Sequence, residues 1–116
     1  MSLSQTFDVS QKIIERGKAD GVRVQAYLAV AFECPFEGMV APATVIAQAG
    51  RLQQYGADEI VIADTIGAAN PAAVRALMDS LVAEHGSASL ACHFHETRAM
   101  GLANCFAAIA SGGSKV

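Results

Sequence analysis

His93 and His95 stand one residue apart. In an extended chain, residues two apart project from the same face. Two imidazoles aimed the same way make a workable bidentate pair for one metal ion. Two histidines can instead be satisfied by loop backbone, but a position at the end of a strand favours the metal. Asp64 closes the apolar run Ile60-Val61-Ile62-Ala63. A carboxylate directly after a buried strand is partly desolvated, which suits a base or a substrate anchor. The same residue commonly accepts hydrogen bonds from the turn that follows, and spacing does not choose between these roles. Gly67 permits a tight turn ahead of Asn70.

A third polar cluster is Glu33-Cys34-Pro35-Phe36-Glu37-Gly38. Tyr27 shares the parity of Arg23 and Gln25, opposite Val24, Ala26 and Leu28. If the aliphatic set faces helices, Tyr27 points to the other side of the sheet, as a ligand contact or as a core aromatic. Nothing in the sequence marks Cys34 as a reactive thiol, so Cys34, Cys92 and Cys105 read as structural. His85, ahead of Gly86, reads as a helix C-terminal residue interacting with the dipole.

These residues need elements to hold them. Strand-like runs cover residues 22 to about 31, 59–63, and about 89–95. Gly21, Gly56 and Gly86 precede them, where a helix would stop in a left-handed residue. Val45, Ile46, Ala49 and Leu52 have helical spacing, as do Val74, Leu77, Met78, Leu81 and Val82. Asn70-Pro71 supplies an N-cap followed by proline at the first helical position, and Pro42 plays that role one helix earlier. A first helix spans about 6–20 and a last one about 99–111. Lys115-Val116 reads as the start of a further strand. The order αβαβαβα with short returns implies parallel strands and right-handed crossovers. In such arrays function gathers at the C-terminal ends of strands, where all three polar clusters fall.

The chain has 116 residues, 53% hydrophobic and 16% charged, which fits one ordered domain. Net charge is −3 with scattered cations, so nucleic acid is not an expected partner. An odd number of cysteines without C-x-x-C spacing implies reduced thiols and a cytoplasmic setting. No apolar run approaches the ~20 residues that span a bilayer, so no membrane association is expected. Residues 1–3 read as vector-derived, and 4–116 as the domain.

The strings Cys34-Pro35-Phe36-Glu37-Gly38, Asp64-Thr65-Ile66-Gly67, His93-Phe94-His95-Glu96-Thr97 and Leu102-Ala103-Asn104 together resemble the 3-hydroxy-3-methylglutaryl-CoA lyase family, in order and in separation. The resemblance implies a partial (β/α)8 TIM barrel, with this chain supplying strands five to seven. It implies His93 and His95 as ligands of Mg²⁺ or Mn²⁺, and His93 beside the metal as a candidate proton acceptor. It implies Asp64 assisting proton transfer, and Tyr27 and Thr65 at the substrate. The substrate implied is an acyl-CoA, cleaved to acetoacetate and acetyl-CoA.

Related metal-dependent enzymes, isopropylmalate synthase-like or ketovalerate aldolase-like, share the H-x-H motif, and a non-catalytic βα domain is a third reading. The family usually has Asp where this chain has Glu96, so contacts behind the histidines are expected to differ. The family's acidic metal ligand, adjacent arginine, asparagine ligand and cysteine acid do not fall within these 116 residues, and a barrel needs ~250. Weak metal binding and no useful turnover by this chain alone are therefore expected. Open sheet edges invite pairing with another copy or with the remainder of a barrel.

Overall fold

A computed structural model describes residues 2–113 and 115–116. Helix α1 (Leu3–Ala19) starts at a reciprocal cap: the Ser2 hydroxyl accepts from Gln5 N, and the Gln5 side chain accepts from Ser2 N. The helix begins three residues earlier than its apolar spacing predicts, because that cap, and not the apolar face, sets its start. Phe7 and Ile14, two turns apart, are its buried residues.

Strand β1 (Gln25–Leu28) is shorter than expected. Ala29 to Ala31 are apolar, yet the chain turns there. Ala31 N donates to Ala63 O at 3.0 Å, and Val30 takes a positive φ of 48°. The polar loop that follows folds into a small antiparallel hairpin, β2 (Glu33–Cys34) and β3 (Gly38–Met39). Helix α2 (Pro42–Gln54) opens with its proline and buries Val45, Ala49 and Leu52. Strand β4 (Glu59–Ala63) is buried along its whole length. Helix α3 (Pro71–His85) is capped by Asn70, whose side chain accepts from Ala73 N at 2.9 Å, and it buries Val74, Leu77, Met78 and Leu81. Strand β5 (Leu90–His93) leads to helix α4 (Gly101–Ala110).

The sheet order is β1-β4-β5, with both pairings parallel. Each crossover carries a helix, as parallel pairing requires. On the helix side Leu28, Ile60, Ile62, Leu90 and Cys92 join the core. A buried aliphatic side chain of this size contributes about 1.5–3 kcal/mol, so this face dominates the fold. The opposite face carries Gln25 and Tyr27 on β1, Glu59, Val61 and Ala63 on β4, and Ala91 and His93 on β5. The register sets Tyr27 beside Val61 and Val61 beside Ala91, with Ala63 beside His93. Lys115 O accepts from Cys92 N at 2.9 Å, so Lys115 lies beside β5, although 115–116 form no strand. Gly21, Gly56 and Gly86 all take positive φ, as the helix ends demand.

Candidate metal and substrate site

The histidines meet at the C-terminal rim. Strand β5 ends at His93, so His95 lies just past the strand and not within it as the sequence suggests. The rings nevertheless converge: the two Nε2 atoms are 3.3 Å apart, with centroids at 4.8 Å and planes at 81°. Two nitrogens in neighbouring positions of an octahedron, each about 2.1 Å from an ion, lie about 3.0 Å apart. The pair therefore fits two adjacent ligand positions.

His95 is oriented from behind. Its Nδ1 is 2.9 Å from the carbonyl oxygen of Asp64. A carbonyl only accepts, so Nδ1 carries a proton, and in the neutral ring Nε2 then holds the lone pair. Among the described residues no group of three or more His, Cys, Asp or Glu converges to hold a metal ion. A metal ion held by this pair would need further ligands from outside it.

Asp64, left open by the sequence between a partly desolvated base or substrate anchor and a turn acceptor, lies at the end of β4. It is 1% exposed. Its Oδ1 accepts from Ala68 N at 3.0 Å and its Oδ2 from Ala69 N at 2.9 Å. The turn amides take both carboxylate oxygens, which is the local role open to any aspartate at a strand end. What Asp64 offers the histidines is its backbone carbonyl. Gly67 is required at that turn: φ is +66°, and an added Cβ would lie 2.5 Å from Thr97 Oγ1.

Tyr27 faces away from the helices, 58% exposed, with its ring centroid 6.5 Å from that of His93. Thr65 is exposed, and its hydroxyl accepts from Val30 N at 2.7 Å. It thereby pins the strained turn after β1 to the end of β4. A hollow of about 220 Å³ runs along this face, lined by Tyr27, Val61, Ala91 and His93 and floored by Glu59 and Lys115. A larger one of about 450 Å³ opens between α1, α2 and the loop after β1, and reaches Tyr27 but neither histidine. Of the two, only the smaller hollow is lined by one of the paired histidines, His93.

Glu96 does not act behind the histidines. Its carboxylate turns to α4 and accepts from Leu102 N at 2.9 Å, satisfying one of the free amides of that helix start. The longer side chain is spent on the cap, and His95 takes its orientation from Asp64. Arg98 reaches Glu33 at 3.6 Å, linking the loop after β5 to the hairpin. Cys92 is buried against Met78, and burial pushes its thiol up to about 12, with Cys105 adding to the shift.

Two features escaped the sequence reading. Glu59, only 3% exposed, is ringed by Lys115, Gln25 and Arg23 at the opposite end of the strands. An acid ahead of an apolar run carries no mark of this. Asn104 is fully buried, and its Nδ2 donates to Ala69 O at 3.1 Å. Its place in the Leu102-Ala103-Asn104 string was the available signal.

Comparison with known proteins agrees with this geometry. The HMGL-like family model matches residues 1–116. Hydroxymethylglutaryl-CoA lyase of Pseudomonas mevalonii is 36% identical over 111 residues, 96% of this chain and 37% of that protein. The crystal structure of the Bacillus subtilis HMG-CoA lyase superposes with a TM-score of 0.93 at 34% identity, over 97% of this chain and 38% of that one. An HMG-CoA lyase from Acinetobacter baumannii, in complex with coenzyme A and 3-methylmalate, gives 0.92 at 30% identity, over 99% and 37%. The chain therefore spans under two-fifths of the relatives it matches. The partial TIM-barrel architecture, the converging histidine pair and the match along the whole sequence lead to one conclusion: this chain belongs to the HMGL-like family.

Proposed function

We propose that this chain carries part of the active centre of a divalent-metal-dependent carbon–carbon lyase, which splits 3-hydroxy-3-methylglutaryl-CoA into acetoacetate and acetyl-CoA. The observation that carries the proposal is the His93–His95 pair, its Nε2 atoms 3.3 Å apart and one ring held by the Asp64 carbonyl. Relatives named as lyases of that substrate support the reaction, and the coenzyme A bound in the A. baumannii relative supports an acyl-CoA ligand. The isopropylmalate synthase-like reading shares the H-x-H pair, and the relatives named as lyases favour the lyase. Free thiols at Cys34, Cys92 and Cys105 fit a reducing compartment such as the cytoplasm.

In this proposal His93 and His95 hold Mg²⁺ or Mn²⁺, and oxygen ligands from outside these residues complete the shell. The ion, when bound, would acidify the substrate hydroxyl and steady negative charge on a neighbouring oxygen. His93 has one lone pair at Nε2, so ligation and proton acceptance there exclude each other at any one moment; ligation takes precedence. Asp64 becomes a proton acceptor only if its turn opens and frees the carboxylate; closed, it orients His95. Tyr27 and Thr65 line the approach, Tyr27 presenting an exposed ring and hydroxyl to the substrate.

The test is a Mn²⁺ titration followed by electron paramagnetic resonance of the free ion, beside the His93→Ala/His95→Ala double variant. Weak binding that the double variant loses is expected. Binding indifferent to the histidines, or none, would sink the metal assignment.

A further inference from the structure

Asn104 belongs to a motif string, yet the proposed chemistry gives it no task. It sits fully buried in α4. Burying a primary amide is costly unless its hydrogen bonds are replaced. Here one is: Nδ2 donates to Ala69 O, while Oδ1 has no partner among the described residues. The acceptor is a carbonyl, so the amide orientation follows from chemistry and the flipped form is excluded. A buried amide retained for a single bond points to the importance of that bond.

Ala69 O lies in the turn that grips Asp64. Ala69 N and Ala68 N donate to the two carboxylate oxygens, and the Asp64 carbonyl faces His95 Nδ1. The connected path runs from Asn104 through Ala69 and Asp64 to His95, whose Nε2 meets that of His93. The same turn is pressed against the loop after β5, where Gly67 leaves no room for a side chain beside Thr97. Helix α4 is thus tied to the histidines through one turn, and Asn104 is the side chain that ties it.

We infer that Asn104 is a positioning residue for the histidine pair: it fixes the Asp64–Ala69 turn, so that the Asp64 carbonyl holds His95 with its proton on Nδ1 and its lone pair on Nε2. The inference deepens the metal reading but is tested apart from it, because the state of the imidazole is read without metal. Partners behind metal-bound histidines typically change affinity 10–100-fold when lost. Asn104 acts one link further back, so about tenfold is expected.

The experiment compares the full chain with Asn104→Leu and Asn104→Ser, neither of which can donate to Ala69 O as the amide does. Ala108→Gly, a change at another buried position of α4, serves as the control for general loosening. Folding is checked by circular dichroism. Imidazole ¹⁵N shifts are recorded without metal, at alkaline pH. The expected result is His95 almost wholly protonated at Nδ1 in the parent and in Ala108→Gly. In whichever Asn104 variants fold it becomes a mixture of tautomers, with Mn²⁺ binding about tenfold weaker. An unchanged tautomer in a folded Asn104 variant overturns the inference. An equal change in Ala108→Gly also overturns it, since any loosening of α4 would then suffice. Should neither Asn104 variant fold, the role is structural and the inference fails. A parent that binds no Mn²⁺ yet shows the tautomer shift defeats the metal reading and leaves the positioning role standing.

Discussion

Gly67 shows how little freedom the rim allows at a single residue. Its positive φ costs an ordinary residue about 1–2 kcal/mol, and the approach of Thr97 adds a steric cost, since an added Cβ would lie 2.6 Å from Thr97 Cβ. Gly67→Ala is therefore expected to destabilise the chain by about 2–3 kcal/mol in urea unfolding, within the range known for strained sites. In a Thr97→Gly background the same change should cost less, about 1–2 kcal/mol, because the side-chain clash is gone and only the backbone term and the 3.1 Å approach of the residue 97 amide remain. Equal costs in both backgrounds would rule out the steric part. A glycine between a strand end and a helix cap was legible from the sequence as a turn residue. The use made of Asp64 was not: a base and a turn acceptor have the same neighbours in sequence, and the two amides at 2.9 and 3.0 Å that its carboxylate accepts from come from the fold of the turn. The histidine pair was legible because alternation along a strand needs no tertiary information. The convergence of Asn104 upon Ala69, 35 residues away, does need it.

Among the elements, helices and their ends were the most legible, since proline, asparagine and glycine act within one turn. Asn70→Ala should cost about 1 kcal/mol of stability, by loss of the bond to Ala73 N, as thermal unfolding would show. Strand ends were less legible. The run beyond Leu28 stays apolar, but long-range bonds from Val30 and Ala31 to the end of β4 turn the chain. The N-terminal ends of the strands hold a determinant that sequence could not show. Hydrogen bonds from Lys115, then Gln25, hold the Glu59 carboxyl below its ordinary value of 4.5, against burial that pushes it up. A folded-state pKa below the unfolded one means that the stabilisation is present above that ordinary value and lost as pH falls through the depressed folded value. Asp58 is shifted the same way, chiefly by Lys18 and then by Val24 N, so the parent alone does not isolate Glu59. The difference does: Glu59→Gln should flatten the fall of stability with acid relative to the parent, while Asp58 contributes equally to both. Parallel pH profiles for the two proteins would show that Glu59 is not held in its charged form.

The whole molecule presents surfaces that a finished barrel would cover. Three parallel strands with helices fit a doubly wound sheet as well as a barrel, so the TIM-barrel reading came from the motif strings and then from the superposition, not from periodicity. On α4, Leu102, Phe106 and Ile109 recur at helical spacing and are exposed, Phe106 by 75%. On α1, Leu3, Val9 and Ile13 are exposed as well. Among the described residues strand β1 pairs with β4 alone, an edge able to take a further strand. Exposed apolar side chains in such numbers on a chain of 12.0 kDa favour association. Light scattering of the purified chain is therefore expected to give a mass above 12.0 kDa that rises with concentration. Phe106→Glu should reduce that mass, because it puts a charge at the centre of the α4 face, where burial against a partner would be costly. Ile13→Glu should do the same for α1. If one variant restores the monomer and the other does not, the face that drives association is identified. A monodisperse monomer across the concentration range would instead mean that these faces tolerate water at no cost in solubility, and the proposed association would be wrong.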